Sequence, residues 1–373
     1  MVTQEQGELR IPPEIIVRHK SGWLLRCLGW LGWLLAVVVL VIALVQRYQA
    51  AEYFNSERGI YEQYHSGNKQ AEDKIAIITI AGVIQDGHGY VKRQIDRIRD
   101  DDSVKAVVVR INSPGGTVSG SDYIFHHLKK LRDERDLPIV VSMGPIAASG
   151  GYYVAMAVGD QEDSILAEPT TTTGSIGVII PHYNVAGLIE TYKIEDDSIM
   201  SHPRKDMLTI SKRLTEDQRA LLQEYVDESF ERFKGIVLEG RPSFRSLNQS
   251  PLQPDAKIKI ADKSSDRDLA TGEVFTAAQA KKFGLVDRIG FLEDAIERAA
   301  EIAKLDIEQT RVVKYATPGV WFELPYLNQA PQGQFDVNSL FEMSTPRAYY
   351  LATTLPPLMN TWPNPESAPD YDP

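Results

Sequence analysis

Two runs of β-forming residues, each broken off by a glycine turn, constrain this chain more than any other feature. VKAVVVRI (104–111) runs into INSPGG (111–116), and LPIVVSM (137–143) leads to AASGGYY (147–153). Between them an amphipathic stretch from about Ser119 to Arg135 carries Ile124, Leu128 and Leu131 on one face. Strand, helix and strand in that order imply a right-handed crossover and a parallel sheet. Both glycine turns then lie at the carboxyl edge of the sheet, where open α/β folds place their sites. KIAIITIAG (74–82) supplies an earlier strand, VKRQIDRIRD (91–100) an amphipathic helix, and short β segments are expected near Ser164–Ala167 and Ile176–Ile180.

The remaining length organises around this unit. Leu28 to Val45 is an uncharged run containing Trp30, Trp33 and LLAVVVLVIALV. As a helix it spans roughly 27 Å, close to the ~30 Å hydrocarbon thickness of a bilayer. LVQRYQAAEYF, which follows, offers no clean small-x-small site for removal of a leader. The sequence therefore divides into a polar N-terminal segment (1–22), a transmembrane helix (23–46), a stalk (47–73), the α/β domain (74–314) and a proline-rich irregular tail (315–373). Arg18, Lys20 and Arg26 precede the apolar run and only Arg47 follows closely, which places the N-terminus in the cytoplasm and the domain outside. Within the domain, Thr215 followed by Glu216, Asp217 and Gln218 reads as an N-terminal cap for a long helix. TGEVFTAAQAKKFGLVDRIGFLEDAIERAAEIAKL (271–305) reads as short helices about a GLVD turn and a closing helix.

Composition removes several function classes. The 373 residues carry a net charge of −11, which argues against a nucleic-acid partner. One cysteine, Cys27, excludes an internal disulfide, a cysteine metal cluster and a paired redox site. What remains is hydroxyl chemistry at the sheet edge. Gly115 and Gly116 let backbone N–H groups approach a substrate with no Cβ in the way. Ser149 opens the helix reading GGYYVAMAVG, whose positive end favours a developing anion. Ala147, Ala148, Gly150 and Gly151 clear the space around its hydroxyl, and Tyr152 and Tyr153 are placed to wall it. Small residues also open helices for packing alone, so the SGG triplet by itself is weak. A serine needs a base. Of seven histidines only His182, in IGVIIPHYN, is a serious candidate; a lysine serves where burial lowers its pKa from about 10.4, and Lys205 in SHPRKDML is one such residue.

Residues from about Lys74 to Leu305 resemble the signal peptide peptidase A family, membrane-bound serine proteases with a Ser/Lys dyad. The likeness rests on VVVRINSPGG, SMGPIAASGGYYVA, TTTTGSIGVI, the RKD at 204–206 and TAAQAKKFGLVDRIG, in that order. A single apolar run with one α/β unit fits the short bacterial form. The resemblance implies a ClpP/crotonase-like α/β fold with a helical C-terminal part. It assigns Ser149 as nucleophile, Lys205 as general base, Ser175 in TGSIG as the serine that orients the lysine, and Gly115 and Gly116, with the Gly150 amide, as the oxyanion and substrate-binding segment. GDQEDS is a few residues longer than the family pattern, and MSHP before RKD lacks the usual glycine. The resemblance further implies extended apolar peptide substrates such as remnant signal peptides, no metal or organic cofactor, a bacterial plasma-membrane location, and a homo-oligomer with sites near subunit interfaces, the serine completed by the lysine of its own chain or of a neighbour. A related protease with one particular protein substrate, or an inactive peptide-binding scaffold, fits the same residues.

Overall fold

The computed structural model describes residues 22–54, 59–248, 258–262, 265–317 and 348–351. The chain forms two compact units, Met1–Ser56 and Glu57–Pro373.

In the first unit, α1 (Gly22–Phe54) is one helix of 33 residues, roughly 50 Å long at 1.5 Å per residue. Its segment Gly29–Arg47 has a mean hydropathy of 2.3 and is exposed throughout. That segment is long and apolar enough to cross a bilayer.

The second unit is built on a nine-stranded sheet. Its strands are β1 (Tyr61–Gly67), β2 (Lys74–Ala81), β3 (Val104–Ser113), β5 (Ile139–Ala148), β6 (Ile165–Ala167), β7 (Thr172–Gly174), β8 (Val274–Thr276), β9 (Arg288–Ile289) and β10 (Arg311–Ala316). The main path runs β1-β10-β2-β3-β5-β6-β9, and β7 continues from the far end of β5 with β8 beside it. From β10 to β9 neighbouring strands are parallel; β1 is an antiparallel edge. A pair, β4 (Gly115–Thr117) and β11 (Tyr349–Leu351), stands apart from this sheet. The helices are α2 (Tyr90–Arg99), α3 (Val118–Arg135), α4 (Gly150–Ala155), α5 (Ala186–Thr191), α6 (Glu216–Gly240), α7 (Ala277–Phe283) and α8 (Leu292–Ala303).

Both faces of the sheet are covered, and β3 shows how alternation divides them. Val107, Val109 and Ile111 face one way, into a core shared with Ile95 and Ile98 of α2 and Ile124, Leu128 and Leu131 of α3. Ala106 and Val108 face the other way, against Ala295, Ile296, Ala299 and Ala300 of α8. All of these residues are buried. Each large one contributes about 1.5–3 kcal/mol by leaving water.

Asp287 of the GLVD turn fastens the C-terminal helices to this sheet. Its carboxylate accepts the N–H groups of Ser164 (3.0 Å) and Ile165 (2.9 Å) at the start of β6. It also pairs at 2.8 Å with Arg241, which follows α6 and donates to the Gly284 carbonyl. At the opposite edge, Lys74 bridges Glu62 of β1 and Asp101 at 2.7 and 2.9 Å. Partial burial would raise the Asp101 pKa, but hydrogen bonds from Ser103 and Lys74 outweigh it and hold it at about 2.

The sheet reaches beyond residues 74–314 at both ends. Tyr61–Gly67, inside the stretch read as a stalk, is its edge strand, and Arg311–Ala316 lies between that strand and β2. Tyr349–Leu351, inside the stretch read as irregular, is a strand on β4. The rest of the tail, 318–347 and 352–373, falls outside the described residues, as does the segment 1–21. The β segment expected near Ile176–Ile180 is instead Thr172–Gly174. The strand begins four residues upstream of the expected start, and by Ile176 the chain has left the sheet; within 176–180 only Ile179 makes a bridge, to Tyr349.

Candidate functional site

The glycine turn after β3 is a strand with two different edges. Gly115 N–H donates to Ser113 Oγ (3.1 Å), which closes the turn. Ile84 N–H donates to the Gly115 carbonyl (2.9 Å) and Thr117 N–H to the Ile84 carbonyl (2.7 Å), so these groups face Ile84. Alternation along a strand then directs the N–H and C=O of Gly116 to the other edge. Neither glycine tolerates a side chain. Gly115 has φ +100°, and a Cβ on Gly116 would run into the Ile84 carbonyl. Thr117 ends the strand and caps α3, its Oγ accepting from Gly120 N–H at 3.0 Å.

Ser149 stands where β5 turns into α4. Its N–H donates to the Gly174 carbonyl of β7 (2.7 Å), and its own carbonyl accepts from Tyr153 N–H (2.8 Å). These bonds hold it at φ 54°, ψ −114°, a backbone state that costs a non-glycine residue about 1–3 kcal/mol and clusters at functional sites. Ser149 is 1% exposed. Its Oγ is buried and, among the described residues, has no hydrogen-bond partner. The next residue, Gly150, lies against the first glycine turn: a Cβ there would be 3.1 Å from Gly116 N and would strike Ser121 Oγ. The amides of Gly116 and Gly150 are thus neighbours beside an unpartnered hydroxyl. That is the arrangement a serine nucleophile and its oxyanion donors require.

The two tyrosines after the glycines diverge. Tyr152 is fully buried, and its hydroxyl donates to the Leu285 carbonyl at 2.9 Å, so it belongs to the core. Tyr153 turns toward α6 and donates to Asp122 Oδ1 at 2.6 Å, with Arg232 on the same carboxylate. Burial, reinforced by the Asp122 hydrogen bond, raises its pKa and keeps it protonated.

Ser175 is brought close to Ser149. Strand β7 pairs with β5 so that Gly174 faces Ala148, and Ser175 follows in a second left-handed conformation, φ 53°, its N–H donating to the Glu273 carbonyl at 2.6 Å. Lys205 is placed differently. It lies on a single 3₁₀ turn, Pro203–Asp206, and is exposed, its ammonium without a hydrogen bond or ion pair among the described residues. The whole stretch 177–228 contains no buried residue. Polar contacts stitch it together: Lys212 pairs with Asp206 (2.9 Å), Ser211 donates to Asp196 (2.6 Å), and His182 Nε2 lies 3.1 Å from the Thr209 carbonyl. Hydrogen bonds from Ser198 and Ser211 hold the Asp196 carboxyl at about 2. The structure therefore brings Ser149, Ser175, Gly115, Gly116 and Gly150 together, and carries Lys205 and His182 on an outward segment. Among the described residues no three His, Cys, Asp or Glu side chains gather as a metal site.

The profile of Peptidase family S49 matches residues 132–306. A protein of Enterococcus faecium named as a signal peptide peptidase SppA is 29% identical over 315 residues, covering 79% of this chain and 84% of its own length. A protein of Synechocystis named as a protease is 35% identical over 239 residues, 64% of this chain and 78% of that one. Protease 4 of Salmonella typhi is 34% identical over 239 residues, 62% of this chain and 35% of the longer relative. The chain belongs to peptidase family S49. It is a peptidase built on the α/β, ClpP-like fold of that family.

Proposed function

We propose that the chain is a membrane-anchored serine endopeptidase that works through a Ser/Lys dyad completed between subunits. Ser149 Oγ attacks the carbonyl carbon of a peptide bond while Lys205 of a neighbouring copy takes its proton and Ser175 orients that lysine. The N–H groups of Gly116 and Gly150 hold the oxyanion; Gly115 shapes the turn and lets substrate approach. The leaving amine departs with a proton, and water then hydrolyses the acyl-enzyme. Each oxyanion donor is worth about 3–4 kcal/mol to the transition state.

The observation that carries this reading is the buried, unpartnered Ser149 Oγ beside the adjoining Gly116 and Gly150 turns. A lysine acts as a base only where burial favours its neutral form, and an interface between copies supplies that burial. The stretch holding Lys205 fits such an interface. It exposes Tyr183, Leu188, Tyr192, Ile194 and Ile199, apolar side chains that an interface between copies would cover. The substrates are extended apolar peptides, remnant signal peptides among them, as the name of the Enterococcus relative suggests. Helix α1 anchors the protein in a bacterial plasma membrane with its N-terminus in the cytoplasm, following the Arg18, Lys20 and Arg26 bias.

A fluorophosphonate probe tests the reading. Wild type should label at Ser149, Ser149→Ala should not, and Lys205→Ala should label far more slowly at unchanged native mass. Full labelling of Lys205→Ala would remove the dyad. No labelling of wild type would favour a peptide-binding scaffold.

A further inference from the structure

The strand that carries Ser149 is interrupted just before it. Against β3, Met143 of β5 faces Ile111 and Ala147 faces Ser113, so Gly144, Pro145 and Ile146 stand opposite Asn112 alone. The other edge breaks at the same place. There β5 pairs with β6 as far as Met143, and with β7 only from Ile146. Gly144 and Pro145 belong to neither register, and Pro145 has no N–H to give. A bulge of this kind re-aims the strand beyond it. Here that strand is Ala147–Ala148, which leads directly into Ser149. Two alanines offer little side chain to pack, so hydrogen bonds must fix the new direction.

Two buried threonine hydroxyls brace the bulge. Thr171 Oγ1 donates to the Gly144 carbonyl at 2.7 Å, with the Met143 carbonyl 3.2 Å away. Thr173 Oγ1 donates to the Ala147 carbonyl at 2.6 Å, on the far side of the bulge. The two residues are 1% and 0% exposed, so a carbonyl released there gains no bond to bulk solvent in exchange. Their positions differ in one respect. Thr171 holds the bulge itself, whereas Thr173 holds the last stretch before Ser149. The residue after Thr173 is Gly174, whose carbonyl accepts the Ser149 N–H at 2.7 Å. Consecutive groups of β7 thus grip the chain on both sides of Ala148, and Ser149 emerges from that grip at φ 54°. A serine without such bonds relaxes out of this left-handed state.

We propose that Thr173 is a positioning residue for the nucleophile: its hydroxyl, by fixing the Ala147 carbonyl, keeps Ser149 in the strained state that presents Oγ to the substrate carbonyl. Thr171 braces the bulge and serves stability alone. The assignment rests on the endopeptidase reading above, with Ser149 as nucleophile.

The test uses side chains that separate the hydroxyl from the methyl group, in the full-length protein in detergent. Thr173→Val keeps the shape and loses the hydroxyl; Thr173→Ser does the reverse. On an apolar peptide, Thr173→Val should lower kcat about tenfold for the lost hydrogen bond, with KM within about twofold of wild type. Labelling of Ser149 by the fluorophosphonate probe should slow by the same factor. Thr173→Ser should return kcat to within about twofold of wild type, although losing a buried methyl lowers its melting temperature. Should the valine variant not fold, Thr173→Ala set against Thr173→Ser repeats the comparison, with serine faster by about tenfold. Thr171→Val should melt earlier yet keep kcat within about twofold. Equal kcat in Thr173→Val and wild type, or a Thr173→Ser as slow as Thr173→Val, would overturn the positioning role and leave a structural bond. A fall in Thr171→Val as large as in Thr173→Val would overturn the division between the two threonines. If Ser149→Ala still cleaved the peptide, the endopeptidase reading itself would fall, whatever the threonine variants did.

Discussion

The region around Ser149 and the region around Lys205 are built on opposite principles. The serine sits on buried strands, its backbone forced to positive φ by bonds to Gly174 and Tyr153, with glycines packed too closely for any side chain. The lysine sits on a short turn inside 52 consecutive residues, 177–228, none of which is buried. One half of the proposed dyad is preorganised by the fold of a single chain. The other is held by surface polar contacts and presented outward. Preorganisation is what makes oxyanion donors effective, because they need not move when charge develops. A base needs only to arrive, and a neighbouring copy can bring it. On the proposed mechanism the contrast makes the single chain a complete cradle and an incomplete catalyst.

The largest effects should come from the two functional groups themselves. Ser149→Ala and Lys205→Ala should each lower kcat by about 10⁴-fold or more, as for other nucleophile and base deletions, at melting temperatures close to wild type. Retained activity in either, measured on an apolar peptide, breaks the comparison at its root. Stability should then separate the regions. Asp287→Ala removes the partner of the nearly buried Arg241 and the acceptor of the Ser164 and Ile165 N–H groups; by analogy with other buried pairs it should cost about 3–5 kcal/mol in denaturant unfolding. Lys212→Ala removes ion pairs of the outward segment, and exposed pairs are worth about 0–1 kcal/mol. If the second proved as costly as the first, the outward segment would be integral to the fold. Thr215→Ala probes the junction. Its hydroxyl caps α6 in a reciprocal box with Gln218, so about 1 kcal/mol should be lost.

The smallest effect is a pH dependence confined to the cradle unit. His127 is pushed down to about 4 by burial and by the positive charge of Lys92 and His126. The unfolded chain therefore takes up that proton first, and the stabilisation, complete above about pH 6.5, is lost as pH falls toward 4. Asp101, held at about 2 against an ordinary 3.8, adds a second loss between those values. Thermal melts from pH 7 to 3 should decline in that order. His127→Gln should flatten the upper part of the decline; an unchanged profile would rule out His127 as its source.

Much of the cradle was legible in the sequence because glycine, alternation and capping are local. VKAVVVRI and LPIVVSM announce two parallel strands, NSPGG and ASGG announce turns that need glycine, and TEDQ announces the start of α6. Ser113 was missed because a turn-closing hydroxyl looks like any loop serine until Gly115 N–H is found on it. It engages that amide and leaves Gly116 and Gly150 as the proposed oxyanion pair. The tail was the larger surprise. AYYL among prolines reads as irregular because its pairing partner is some 230 positions upstream, and a strand so short has no periodicity of its own. The stalk hid an edge strand for the same reason: Tyr61–Gly67 is defined by its antiparallel partner in β10. Nothing local says that Lys205 faces outward, since exposure is decided by what the rest of 177–228 fails to pack against.

Complementation between inactive copies tests the central claim most directly. Ser149→Ala and Lys205→Ala proteins, co-expressed in equal amounts and purified together, carry an intact lysine and an intact serine on different chains. If neighbours complete the dyad, roughly a quarter of wild-type peptidase activity should return, the chance that a serine-bearing copy adjoins a lysine-bearing one in a head-to-tail ring. Activity no higher than either variant alone, in assemblies of wild-type mass containing both chains, would contradict it.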